Sequence, residues 1–262
     1  MKRATSCAAM LACASFAHAQ GQSQAEHVAP DPPQTHVKHD MSYGEMVEMM
    51  GMDDRKRFGK VMFDRLEWRG SDESQYAWDA RAWYGGDYHK AWFEAEGERT
   101  EDATQKSRLE GGWERIVSAW WSVRAGVRHD GGMGPTRDWL GVGFSGLTPG
   151  FVDTQASVYL GEDGRSALRL TLERDFLFTQ RLVLQPRLEL DAFGKDDAEK
   201  LIGSGLSTLE LGLRLRYEWH REFAPYLGLN WSAHFGETDD LRRAAGEDGD
   251  DFTWLAGVRA WL

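Results

Sequence analysis

From about Arg57 onward, apolar and polar residues alternate with a period of two, the spacing of strands that show one face to an apolar medium and the other to polar groups. The purest stretch sets Leu209, Leu211, Leu213, Leu215 and Tyr217 against Glu210, Arg214, Arg216 and Glu218, and the one before it sets Leu182, Leu184, Pro186, Leu188 and Leu190 against Gln185, Arg187, Glu189 and Asp191. About twelve such stretches follow one another. The first, Val61 to Trp68, is irregular, and the fourth, around Arg108 to Trp113, is weakened by Gly111 and Gly112. The last puts Phe252, Trp254, Ala256, Val258, Ala260 and Leu262 on one unbroken apolar face, with Thr253, Gly257, Arg259 and Trp261 opposite. A final strand of that kind is expected to close a sheet in lipid, where backbone groups left unpaired are costly.

The expectation is therefore all-β: a transmembrane antiparallel up-and-down β-barrel of about 12 strands over residues 59–262. The connections carry a second signal. Gly85 to Asp87, Leu147 to Gly150, Leu177 to Thr179 and His220 to Glu222 read as short turns. Between them, Arg99 to Lys106, His129 to Asp138, Gly194 to Gly205 and Gly236 to Asp250 read as longer polar loops. Short periplasmic turns and longer external loops mark outer-membrane barrels, and an even strand number would leave both ends of the barrel in the periplasm. A soluble β-sandwich also alternates, but inward faces so rich in both signs of charge need a wet or fully paired interior. Arginines such as Arg169, Arg187 and Arg214 could meet water or pair with carboxylates such as Glu96, Glu189 and Glu210 and fill a narrow barrel, and alternation leaves an open and a filled lumen both standing.

Composition agrees. Charged residues make up 28% of the chain, which holds 12 tryptophans, and the mean hydropathy is -0.56; no window approaches the roughly 18 apolar residues of a membrane-spanning helix. Lys2 and Arg3, the apolar run Cys7 to Phe16 and the small residues Ala17-His18-Ala19 predict a signal peptide over 1–19. Both cysteines, Cys7 and Cys13, fall inside it, so the expected mature chain offers no thiolate. A net charge of -11 excludes nucleic acid as a partner.

Residues 20–58 read as a disordered to partly helical periplasmic segment, polar and Pro-rich at first. It then gathers His36, His39, Met41, Met46, Met49, Met50 and Met52. Soft thioethers with imidazoles suit copper ahead of zinc or calcium, Cu(I) above all. The same spacing also makes Tyr43, Met46, Met49 and Met50 the apolar face of a short helix, and the sequence leaves both readings open.

Several motifs in order then carry a resemblance: Trp78 to Asp87, Trp92 to Glu98, Ser122 to Asp130, Tyr217 to Tyr226 and Gly257 to Trp261. The chain from about Gly59 to Leu262 resembles the copper-resistance protein B family of Gram-negative outer membranes. The resemblance implies copper tolerance alongside periplasmic copper-binding and copper-oxidase proteins, with copper captured by a Met/His segment ahead of the barrel, here the seven residues above. Family members often carry a longer, repeated Met-rich region, and this chain ends on Leu262 where a terminal aromatic is commoner in such barrels.

The leading expectation is an outer-membrane protein that binds copper ions and passes or sequesters them; the alternative is a general channel or structural barrel with no metal role. An enzyme is not expected, because Ser118 and Ser122 have no histidine in register and no carboxylate pair stands apart from the lumen ladder. His89, His129 and His234 each stand alone and receive no role.

Overall fold

The computed structural model describes residues 42–50, 56–70, 74–246 and 249–262. They fall into two units, a short helix and a closed sheet. The predicted signal peptide, most of the Pro-rich segment, and His36, His39, Met41 and Met52 lie outside the described residues.

The sheet runs through β1 (Phe58–Gly70), β2 (Ser74–Gly85), β3 (His89–Thr100), β4 (Thr104–Ile116), β5 (Trp121–Gly132), β6 (Arg137–Thr148) and β7 (Val152–Gly161). It continues through β8 (Ser166–Glu173), the two-residue β9 (Phe176–Leu177), β10 (Leu182–Phe193), β11 (Gly205–Tyr217), β12 (Phe223–His234) and β13 (Asp250–Trp261). Neighbours are antiparallel, and β13 returns to β1 with Val258 opposite Leu66 and Ala256 opposite Trp68. Leu262 takes part in the closure: its N–H donates to Val61 O at 2.9 Å, and Val61 N–H donates to Leu262 O at 3.1 Å.

β8 and β9 are one stave, so the thirteen segments form a ring of twelve among the described residues, as the alternation predicts. The gap at Arg174 and Asp175 faces Pro186 of β10. That residue accepts from Arg174 N–H at 3.2 Å but has no N–H to return, and the ladder lapses for two residues before resuming in the same register.

The irregular first stretch has a local cause. Pairing of β1 with β2 shifts between Phe63 and Arg65, a bulge that turns both Asp64 and Arg65 into the lumen. Phe63 and Leu66 thus both face out, three residues apart, and the period of two skips a beat. Elsewhere the predicted faces hold: on β11 Leu211, Leu213 and Leu215 are exposed while Arg214 and Arg216 are buried. Exposed aromatics gather at both rims, with Tyr84, Trp113, Tyr217 and Phe223 near the turns and Trp68, Tyr76, Phe252 and Trp254 near the loops.

Two predicted long loops shrink. β3 and β4 stay paired up to Arg99 and Thr104, leaving only 101–103, and β5 and β6 stay paired up to Asp130 and Arg137, leaving 133–136. Toward the loop rim polar residues occupy both faces, so apolar alternation stops before the hydrogen-bonded ladder does. The long connections are 194–204 and 235–249, the latter carrying α2 (Glu237–Ala244).

Candidate functional site

Three of the seven predicted ligands lie in the described helix, α1 (Tyr43–Met50). Its start is built by Ser42 and Glu45. Ser42 N–H and Oγ both donate to Glu45 Oε2 at 2.9 Å, and Glu45 N–H donates back to Ser42 Oγ at 3.4 Å. This reciprocal pairing satisfies helix-end donors that otherwise have no partner, and Met46 N–H donates to Ser42 O at 3.1 Å to close the first turn. The Ser42 backbone N–H, and after it the hydroxyl, hold the Glu45 carboxyl below its ordinary value.

Met46, Met49 and Met50 follow at i, i+3 and i+4, the spacing that sets side chains beside one another on a helix. Met49 and Met50 are exposed and Met46 half-buried. The helix face and the soft-donor set are thus the same three residues. Neutral, flexible thioethers in that position fit a Cu(I) ion.

The barrel lumen is the other candidate, and alternation alone leaves it undecided between an open and a filled bore. Side chains cross the bore. Arg169 of β8 donates to Glu96 of β3 at 2.7 Å, Arg187 of β10 lies 3.5 Å from Asp79 of β2, and Arg108 of β4 lies 4.0 Å from Asp191 of β10. Each of these pairs joins staves five places apart in a ring of twelve. Glu96 alone has Lys106 at 3.2 Å, Arg108 at 3.5 Å and Arg65 at 4.0 Å besides Arg169. Glu67, whose side chain is 0% exposed, accepts from Arg214 at 2.6 Å, from Arg69 at 3.2 Å and from the Tyr226 hydroxyl at 3.1 Å.

One pocket within the lumen, bordered by Asp79, Glu94, Glu96, Arg108 and Arg187, has a volume of about 50 Å³, room for a few waters. A Cβ on Gly126, opposite Gly112, would fall 3.0 Å from the Trp92 ring, and Trp92 carries the Arg124 guanidinium 3.7 Å above it.

The loop-side mouth is covered by 194–204. Arg137 grips Asp197 through Nε at 2.8 Å and Nη2 at 3.1 Å, and reaches Glu199 at 2.9 Å, while Arg165 stands 3.5 Å from Asp197. Burial pushes the Asp197 carboxyl up, but the Arg137 hydrogen bonds and charge, with Arg165 and Lys200, outweigh it and hold the group below its ordinary value. On the far side, Gly203 N–H donates to the buried Thr238 hydroxyl at 2.8 Å, tying the start of α2 to the same loop.

The histidines left without a role stay apart from one another. His89 stacks on Trp113 with ring centres 5.3 Å apart, His129 meets Asp138 at 2.6 Å on the outer face, and His234 meets Thr208 at 3.3 Å. Ser118 Oγ accepts from Trp120 N–H at 3.3 Å and Trp121 N–H at 3.1 Å, a turn-capping role. No cluster of three or more His, Cys, Asp or Glu ligands occurs among the described residues. Sequence reasoning missed the Ser42 and Glu45 pairing, whose Ser-x-x-Glu signal was present; inward arginines and carboxylates able to fill the bore were legible, but alternation carries no signal of which pairs cross it.

Comparison with known proteins follows the same lines. Residues 57–262 match the family described as Copper resistance protein B precursor (CopB). The chain is 37% identical over 238 residues to Copper resistance protein B of Escherichia coli, covering 90% of this chain and 80% of that one. It is 40% identical over 200 residues to the Copper resistance protein B homolog of Pseudomonas syringae pv. tomato (strain ATCC BAA-871 / DC3000), covering 76% and 68%. A solved structure of the NanC porin shares the fold, with a TM-score of 0.50 and 15% identity over 78% of this chain and all 100% of that one.

Proposed function

The chain belongs to the copper resistance protein B family of outer-membrane β-barrels, and on that premise we propose that it serves copper tolerance by holding copper on its N-terminal segment rather than by passing it through the barrel. The observation that carries this reading is the bore itself, spanned by ion pairs between staves on nearly opposite sides. An ion crossing it would have to part several buried charge pairs at once, and buried pairs are costly to break. That argues equally against a general channel.

The holding site is then the segment with soft donors: His36, His39, Met41, Met46, Met49, Met50 and Met52. Thioethers need no deprotonation, so Cu(I) binding through them persists at mildly acid pH, where imidazoles protonate near their ordinary value of about 6.5. An even number of staves, with the longer loops taken to face outward, supports a periplasmic place for the segment. From there a periplasmic copper-binding or copper-oxidase protein is the fitting recipient.

The test pairs two measurements on the purified mature protein with and without residues 20–58. Cu(I) affinity should fall sharply on deletion, while neither form should carry steady current across a planar bilayer. Unchanged affinity after deletion would sink the holding site, and a steady copper-carrying current in the intact protein would replace holding by passage.

A further inference from the structure

The reciprocal pairing of Ser42 with Glu45 is more than the end of a helix. We propose that copper is taken by α1 in its helical form, on Met46, Met49 and Met50, and that Ser42 and Glu45 are positioning residues that set its affinity. This rests on the copper-holding reading above and adds how the ligands are brought together.

The argument starts from length. α1 has eight residues, and helices shorter than about 12 to 15 residues are marginal in water because the first turn is costly to nucleate. Its interior gives modest help, since Gly44 and Val47 are weak helix formers. What favours the first turn is the Ser42 and Glu45 pair: three hydrogen bonds, two at 2.9 Å and one at 3.4 Å, on donors at the helix start.

In an extended chain, Met46 and Met50 stand four residues apart, well over 10 Å. In the helix their Cβ atoms come within about 6 Å, and Met49 lies beside Met46 at the same separation. Three unbranched side chains reaching from one face can then meet one ion without the chain wrapping around it. Met49 and Met50 are already exposed, so binding uncovers no packed core.

If only the helical form binds, the observed dissociation constant is the intrinsic one divided by the helical fraction. Replacing a capping Ser by Ala weakens a helix start by an amount that corresponds to roughly a fivefold loss in that fraction while helix is the minor form. Ser42→Ala should therefore weaken Cu(I) binding about fivefold without touching a ligand. Ser42→Asn, an equally good cap, should restore it. Glu45→Gln, which keeps the reciprocal bond, should lose less than Glu45→Ala. A purely electrostatic role for Glu45 would make the Gln and Ala variants alike.

The experiment uses the full mature protein in detergent, Cu(I) competition against a chromophoric chelator, and hydrogen exchange of the backbone amides of 42–50 read by mass spectrometry. The expected result is that Cu(I) slows exchange of those amides. Ser42→Ala should speed exchange and weaken affinity about fivefold, Ser42→Asn should restore both, and the Met46, Met49, Met50 triple change to Leu should lower Cu(I) affinity far more than fivefold while leaving metal-free exchange unchanged. If the triple variant loses copper but Ser42→Ala binds as tightly as the parent, or if copper leaves the exchange unchanged, the helical site is overturned and the holding reading stands. If the triple variant binds as the parent does, Met46, Met49 and Met50 are not the ligands and the helical site falls; the deletion of residues 20–58 then decides the holding reading itself.

Discussion

Arg214→Gln separates a wet lumen from a packed one. On a wall open to water the change would be mild, since both partners of a lost pair would be rehydrated. In the structure the Arg214 side chain is 3% exposed and that of Glu67 0%, 2.6 Å apart. With Arg214 gone, Glu67 keeps the Tyr226 hydroxyl at 3.1 Å and Arg69 at 3.2 Å. But Arg69 is shared with Glu98 at 3.1 Å and Glu210 at 3.3 Å, so one cation then faces three carboxylates. Removing one partner of a buried pair costs about 3 to 5 kcal/mol, and the surviving contacts put this case near the lower end, at about 3 kcal/mol. Glu67→Gln in the same chain removes the stranded charge, so the double variant should be more stable than Arg214→Gln alone, with a coupling of about 2 kcal/mol. Urea unfolding in liposomes, followed by tryptophan fluorescence and by the electrophoretic shift between folded and unfolded barrel, measures both. A cost below about 1 kcal/mol for Arg214→Gln, or additivity of the two changes, would refute an interlocked bore.

Other outcomes follow from the same structure. Leu213→Arg, on the lipid face of β11, should cost about 2 to 4 kcal/mol in the same assay, and a negligible cost would mean that this face is not in hydrocarbon. Asp197, held by Arg137 and Arg165 beside Glu199 and Lys200, has its carboxyl below the ordinary value, so its grip is complete above about pH 4 and is lost as pH falls through the lowered value. Peptic cleavage within 194–204 should therefore set in only below about pH 4, and Asp197→Asn should admit trypsin at Lys195 or Lys200 already at neutral pH; equal cleavage of parent and variant would deny the grip. An epitope inserted in 235–249 should be reachable on intact cells and one in 149–151 only after permeabilisation, the reverse pattern inverting the orientation.

The barrel was legible because lipid enforces the period of two, and the places where the reading slipped are those where lipid does not. At Asp64 and Arg65 a bulge turns two neighbours inward, which a strict period cannot express. Between Glu98 and Lys106, and between Asp130 and Arg137, the ladder runs on among polar residues, so strands looked like loops. Pro186 read as an ordinary lipid-facing position, and its cost fell on the neighbouring stave, where β8 lapses opposite its missing N–H.

The function was legible only as far as donor chemistry goes. Alternation says that Arg169 and Glu96 both face inward, but not that they meet, since that depends on which staves lie across a ring of twelve and on how far each side chain reaches. Open and closed bores therefore share one pattern, and only the cross-bore distances tell them apart. The methionines pose the opposite case. Helix face and soft-metal set looked like rival readings of Met46, Met49 and Met50 because each explains the same spacing, yet a helix is what brings thioethers at i, i+3 and i+4 together. The signal that joins them was four residues long and in plain view, Ser42-Tyr43-Gly44-Glu45, and its worth lies in the shortness of the helix behind it. In a helix of twenty residues the same pair would change the helical fraction little, whereas in one of eight it weighs heavily on whether Met46, Met49 and Met50 share a face at all.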